Sequence, residues 1–394
     1  MNAGLYPPLF SYTLSWFASP SVEVSIAVTR IVNTFLLVSL LALITWLLPP
    51  RYRLVLLLTM LTVFTTQGLF LLASINPSSW SVVGVGIGWL TLHACLAPGG
   101  MSRNHRVALG SACLLAWTMA VGSRWDAAGF VALSASLTVF HALWLHFPQY
   151  RRMLPLGTVL LGLLLSVIVQ MFTPFSLFRL FGSLFKYADG EPDNLAFFTQ
   201  NFLNGLPNAL AALSEVPTSP GPYLPRLIAP VALIMLGYFV IRTFNRRDPI
   251  QVLGFFFVVT AISLTFMAWH ALRDERDATE LSSRYALPLL VLAIGWWYSL
   301  GPADLYGGVS RQLRPAANTA TVLFALTVIT FAERNVDIQT FGLRFLPEGL
   351  DQWWWSWMPV GPNVLVILAP TCLWMFFHSF VRNLPAPRSE TVLT

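Results

Sequence analysis

Long, uninterrupted apolar runs separated by short polar punctuation recur along the whole chain. An α-helix needs roughly 20 apolar residues to cross about 30 Å of hydrocarbon, so the pattern predicts membrane spans. Barrel strands would show short segments of alternating character instead of continuous apolar runs. The runs place spans at Val22–Leu48, Leu54–Ala73, Trp80–Ala97, Val107–Gly122, Ala127–His146, Leu154–Phe175, Leu227–Phe244, Ile250–His270, Tyr285–Leu300, Ala316–Phe331 and Pro362–Phe380, about eleven in all. The expected fold class is therefore all-α, a polytopic transmembrane helix bundle.

Between the runs, three segments carry their own pattern. The start, "LYPPLFSYTLSWF", spaces Leu5, Leu9, Tyr12 and Trp16 like one helical face, which predicts an interfacial entry helix within residues 1–21. From Asn194 to Leu213, Leu195, Phe198, Phe202, Leu206 and Leu210 recur at spacings of three and four, a second amphipathic helix within a large loop, 176–226. Trp353, Trp354, Trp355 and Trp357 cluster in a third segment and read first as an interfacial belt, with sugar stacking as the sharper alternative. The organisation is then an entry segment, a first helix block over 22–175, the large loop, a second block over 227–381 and a tail over 382–394.

Composition agrees with the pattern, at 56% hydrophobic and 10% charged residues, against about a quarter charged in soluble domains. The net charge of +6 is spread over short loops and forms no patch, which argues against a nucleic-acid partner. It is a topology signal instead. If the first span runs inward, Arg51, Arg53, Arg103, Arg106, Arg151, Arg152, Arg242, Arg246, Arg247, Arg311, Arg314, Arg382 and Arg388 all fall on the cytoplasmic side, together with the C-terminus. Cys95, Cys113 and Cys372 lie in apolar runs and read as small core residues.

Against this background "RDERDATELSSRYALPLL", starting at Arg273, stands out. Arg273, Arg276 and Arg284 have the forked geometry that grips phosphate oxygens in pairs. Asp274, Glu275, Asp277 and Glu280 can neutralise them or hold a divalent metal through hard oxygen ligands. The plainer reading is a solvated loop whose charges pair among themselves. Arg284 and Tyr285 sit at the mouth of an apolar run, where an arginine meets lipid headgroups or merely snorkels to them.

Further candidates lie at the same expected outer level. Arg30 falls one to two turns inside its span, where a charge is costly unless it faces a partner or a cavity, and Asn33 follows close to the same face. Asn76, in "SINPSSW", reads as a capped turn before it reads as a site. Arg124 and Asp126, in "GSRWDAAG", read as a salt bridge, with Asp126 as general base the sharper alternative. His93, His141, His146, His270 and His378 share no metal-binding spacing, and only His270 lies near the charged loop.

Taken in order, "YPPLFSYTLSWFASPSVEVSIAVTRIVN", "LLASINPSSWSVVGVGIGWL", "GSRWDAAGF" and "SSRYALPLL" resemble the GT-C membrane glycosyltransferases, within them the bacterial domain-of-unknown-function family 2142. The resemblance covers most of the chain in helix order. It implies transfer of a sugar from a polyprenyl-phosphate carrier to a cell-envelope acceptor outside the cytoplasmic membrane. Arg284 and Tyr285, with Arg273 or Arg276, would hold the carrier phosphate, and Arg30 would line the lipid groove. The family's first outer loop carries the catalytic acid, and no acid precedes Glu23 here, so the resemblance implies a start after that loop. Asp126, Asp274 and Glu275 are then the candidate bases. Two other classes stay open: a surface-polysaccharide polymerase or ligase working through the large loop, and a non-catalytic lipid-binding or transport protein.

Overall fold

The computed structural model describes residues 7–63, 74–97, 101–146, 249–273 and 285–299, with a few single positions besides. These residues are helical or in short turns, and no strand occurs among them. The helices are α1 (Pro8–Ser15), α2 (Val22–Leu47), α3 (Pro50–Val63), α4 (Pro77–Leu96), α5 (Arg103–Ser123), α6 (Ala127–His146), α7 (Pro249–Arg273) and α8 (Leu287–Ser299). Four of them, α2, α4, α5 and α6, are long and apolar enough to cross a membrane. The expected spans over 154–175, 227–244 and 316–331, the large loop 176–226, the tryptophan cluster and the tail lie outside the described residues, as does the span over 362–380 but for Thr371, Cys372 and Met375.

The chain divides into two compact units, Met1–Ala212 with Arg247–Leu300, and Leu213–Arg246 with Gly301–Thr394. All the helices named above belong to the first unit. At its centre stands α4, which packs against α2, α3, α5, α6 and α8 and is buried from Ser78 through Thr91. Glycines make that closeness possible. A β-carbon on Gly84 would run into the carbonyl oxygen of Ala116 on α5, and one on Gly86 would run into Val291 on α8. Small residues at such crossings let backbones approach where lipid offers no hydrophobic drive.

Around this hub α2 shows the two faces of a helix at the rim of a bundle. Ala27, Asn33, Leu37, Leu40 and Ile44 are buried, while Phe35, Val38 and Trp46 are exposed. Those exposed apolar side chains form the face that hydrocarbon covers in a membrane. α8 is different, being buried throughout its 13 residues, which span about 20 Å by helix rise. These residues lie in the interior of the unit, packed against α3, α4 and α7.

Helix ends explain several arginines. α2 leaves its last carbonyls open, and Arg53 donates to Leu48 O at 2.6 Å and to Trp46 O at 3.0 Å. His105 donates to Leu47 O at 2.6 Å, and Arg51 donates to Ser299 O, at the end of α8, at 2.9 Å. Cations at helix C-termini satisfy orphan carbonyls and complement the dipole. The same basic residues that read as a topology signal thus close two helix ends.

α1 forms within the expected entry segment, burying Phe10 and Leu14 and leaving Tyr12 and Trp16, of the expected interfacial face, 61% and 73% exposed. Phe10 is the residue that reaches the core, meeting the Trp80 ring edge-on at 5.2 Å. Of the cysteines, Cys113 is buried, Cys95 half-buried and Cys372 exposed, so the core reading holds fully for Cys113 alone.

Candidate functional site

The turn between α5 and α6 consists of Arg124, Trp125 and Asp126. Arg124 is 3% exposed, and its guanidinium is fully committed. Nε donates to Asp126 Oδ1 at 2.8 Å, Nη2 pairs with Asp126 Oδ2, and Nη1 donates to Ser78 Oγ at 2.7 Å. The guanidinium carbon lies 4.3 Å from the centroid of the Tyr285 ring. A buried guanidinium is tolerable only when paired and hydrogen-bonded, and here a carboxylate, a hydroxyl and an aromatic face share that task.

Asn76 supports the arrangement from below. Its side-chain oxygen accepts from Ser78 N at 2.9 Å and caps α4, setting Ser78 where Arg124 can reach it. One layer further along, Asn33 on α2 donates to Ser74 O at 2.8 Å and accepts from the Trp80 indole N–H at 2.7 Å. The end of the bundle that carries the α4 N-terminus therefore holds a continuous set of buried polar contacts among α2, α4, the α5–α6 turn and the start of α8.

Four of the residues nominated from sequence meet here: Asn76, Arg124, Asp126 and Tyr285. Their roles separate. Asn76 is a helix cap, and Asp126 has both carboxylate oxygens engaged by Arg124, so the salt bridge and not the general base is the role its geometry supports. Arg30 is on the exposed side of α2 while Asn33 is buried, so the two do not share a face. Arg273 ends α7 and His270 lies in its last turn. Asp274, Glu275, Arg276 and Arg284 lie outside the described residues, as do the side chains of Arg273 and His270.

A second cluster escaped the sequence reading. His93 on α4 and His141 on α6 share no informative spacing, yet His93 Nε2 lies 3.1 Å from His141 Nδ1. His93 Nδ1 lies 3.1 Å from the Tyr52 hydroxyl on α3. The only signal available was that each is a lone polar residue near the end of an apolar run. Among the described residues no three metal-ligating side chains converge.

The chain matches no family model, no curated protein and no solved structure.

Proposed function

We propose that this chain is a glycosyltransferase-like membrane protein. In this reading it takes a sugar from a polyprenyl-phosphate carrier and passes it to a cell-envelope acceptor on the outer face of the cytoplasmic membrane. The observation that supports it is the contact between Arg124 and Tyr285, which fastens the residue following Arg284 to the buried polar end of the bundle. The arginine-rich stretch thus leads directly into a rigid anchor. Arg284 and Tyr285, with Arg273 or Arg276, hold the carrier phosphate, since guanidinium forks match phosphate oxygens. Arg30, exposed on α2, meets the lipid on its way in. Asp274 or Glu275 supplies the base, because Asp126 is held by Arg124.

The commitment of Asp126 also favours a second reading, in which the protein binds lipid phosphate without chemistry. One experiment separates the two. Full-length protein in detergent is given photoactivatable polyprenyl phosphate, and separately a labelled polyprenyl-phosphate sugar with an envelope extract. Transfer that Arg284→Ala abolishes supports the enzyme. Crosslinking that Arg284→Ala abolishes, with no transfer by wild type, selects the binding protein. Neither signal in wild type removes both.

A further inference from the structure

Tyr52, His93 and His141 lie at the other end of the bundle from Arg124, and the transferase reading makes no use of them. Ser78 and His93 are separated along α4 by about 22 Å of helix rise. Tyr52 belongs to the first turn of α3 and His93 to the last turn of α4, so the cluster starts near one rim of the bundle. The three side chains are buried, at 5%, 8% and 3% exposure. Trp89 and Trp296 wall them off, with the Trp296 ring 6.1 Å from His93 and 5.6 Å from His141.

Interhelical hydrogen bonds elsewhere in this bundle have a fixed direction. Trp80 only donates to Asn33, and Arg124 only donates to Asp126 and Ser78. The Tyr52, His93 and His141 chain has none, because a phenol and two imidazoles can each donate or accept. Both hydrogen-bond links are satisfied with the protons ordered from Tyr52 toward His141, and equally with them ordered the other way. Mere packing between helices does not need that reversibility, and proton relays are among the roles that ionisable side chains inside a span take.

We infer that Tyr52, His93 and His141 form a proton relay between the Arg51 rim and the interior of the bundle. The charged group facing the chain from α3 is Arg51, whose guanidinium carbon is 5.8 Å from the Tyr52 ring centroid. α4 and α6 bring His93 and His141 themselves, and α8 brings Trp296. A nearby cation stabilises a phenolate and repels an imidazolium, which sets the order of events. Tyr52 releases its proton at the rim. His93 passes Nδ1–H to the Tyr52 oxygen and takes a proton at Nε2 from His141 Nδ1. His141 is then refilled at Nε2 from the interior, so one proton leaves and one enters, and the Tyr52 hydroxyl and both imidazole rings turn over to restore the starting order before the next proton passes.

On the interior side Thr138 and Ser134 precede His141 by three and seven residues on the same helical face, fully buried, with their hydroxyls donating to Ser134 O and Val131 O.

The test uses the full-length protein in liposomes containing a pH-sensitive dye, with a potassium diffusion potential as the driving force. Wild type should move protons faster than protein-free vesicles, and His93→Phe and His141→Phe should each reduce that rate by at least about tenfold. Tyr52→Phe keeps the ring packing and removes only the hydroxyl, so it should lose the flux while retaining the wild-type melting temperature. Trp46→Phe, on the exposed side of α2, should conduct like wild type. Flux in wild type no greater than in empty vesicles would overturn the relay. So would full flux in Tyr52→Phe, even if the histidine variants fail to fold.

Discussion

Arg124 forks onto Asp126 and at the same time lays its guanidinium 4.3 Å from the Tyr285 ring centre. One side chain therefore ties the α5–α6 turn to the start of α8, two places far apart in sequence. Arg124→Ala removes the pairing and leaves a carboxylate only 20% exposed without its counter-ion. A loss of about 3 kcal/mol in unfolding free energy is expected, because breaking a buried pair costs more than the pair contributes. Asp126→Asn keeps a hydrogen-bonding oxygen but strips the more deeply buried Arg124 guanidinium of its counter-ion, so it should cost a similar amount, about 3 kcal/mol. Chemical denaturation in detergent measures both, and a loss well under about 1 kcal/mol in either variant would contradict the arrangement.

Gly84 and Gly86 should respond differently to the same small change. Gly86→Ala forces a methyl group against the Val291 side chain, whereas Gly84→Ala forces one against the Ala116 carbonyl oxygen, with Ala120 Cβ 2.8 Å away. Each should destabilise by about 1–3 kcal/mol. Adding Val291→Ala should rescue Gly86→Ala and leave Gly84→Ala unrelieved, since a backbone atom cannot be trimmed. Thermal melts of the four variants decide this.

Asn33 and Trp80 should be energetically coupled. Their indole to amide hydrogen bond at 2.7 Å is fully buried, so a double-mutant cycle with Asn33→Leu and Trp80→Phe should return about 0.6–1.7 kcal/mol, the range for polar contacts between membrane helices. Additive losses would mean that the two side chains do not meet.

If α4 crosses the membrane, its flanks lie on opposite sides. In a background with Cys95, Cys113 and Cys372 replaced, Ile75→Cys and Ser102→Cys should each react with a membrane-impermeant thiol reagent, one from each face only; both positions are exposed. Labelling of both from the same face would show that α4 does not traverse.

Sequence and structure agree most where hydrophobicity alone decides. Val22–Leu47 and Ala127–His146 differ from the expected spans by no more than a residue, because each is a long apolar run bounded by turn chemistry. The ends moved where side chains reach across gaps: α3 begins at Pro50 instead of Leu54, since Arg51 and Arg53 can sit inside the helix while capping α8 and α2. The polar end was partly legible, because Arg124, Asp126 and Asn76 are rare residue types at helix boundaries in an apolar chain. The residues by which α1 packs inward were not, since they depend on partner surfaces: Phe10 meets the Trp80 ring and Leu9 lies against Gly122. The pairing of His93 with His141 depends on the rotation of α4 against α6, which no local pattern encodes.

The sheathing of α4 also bears on biogenesis. Its mean hydropathy is 1.4 against 2.0 for α2, and Ser78 and the Nε2 side of His93 meet partners, Arg124 and His141, that follow it in the chain. The ribosome delivers it after α2 and α3 but before α5 and α6 and long before α8, so the nascent hub enters the bilayer before those later partners exist. Rapid arrival of α5, joined to α4 by a short connection, shields one side at once, and α8 arrives last of the described helices that cover it. Premature termination anywhere before Leu287 would therefore leave an orphaned, polar-faced helix for membrane quality control to recognise.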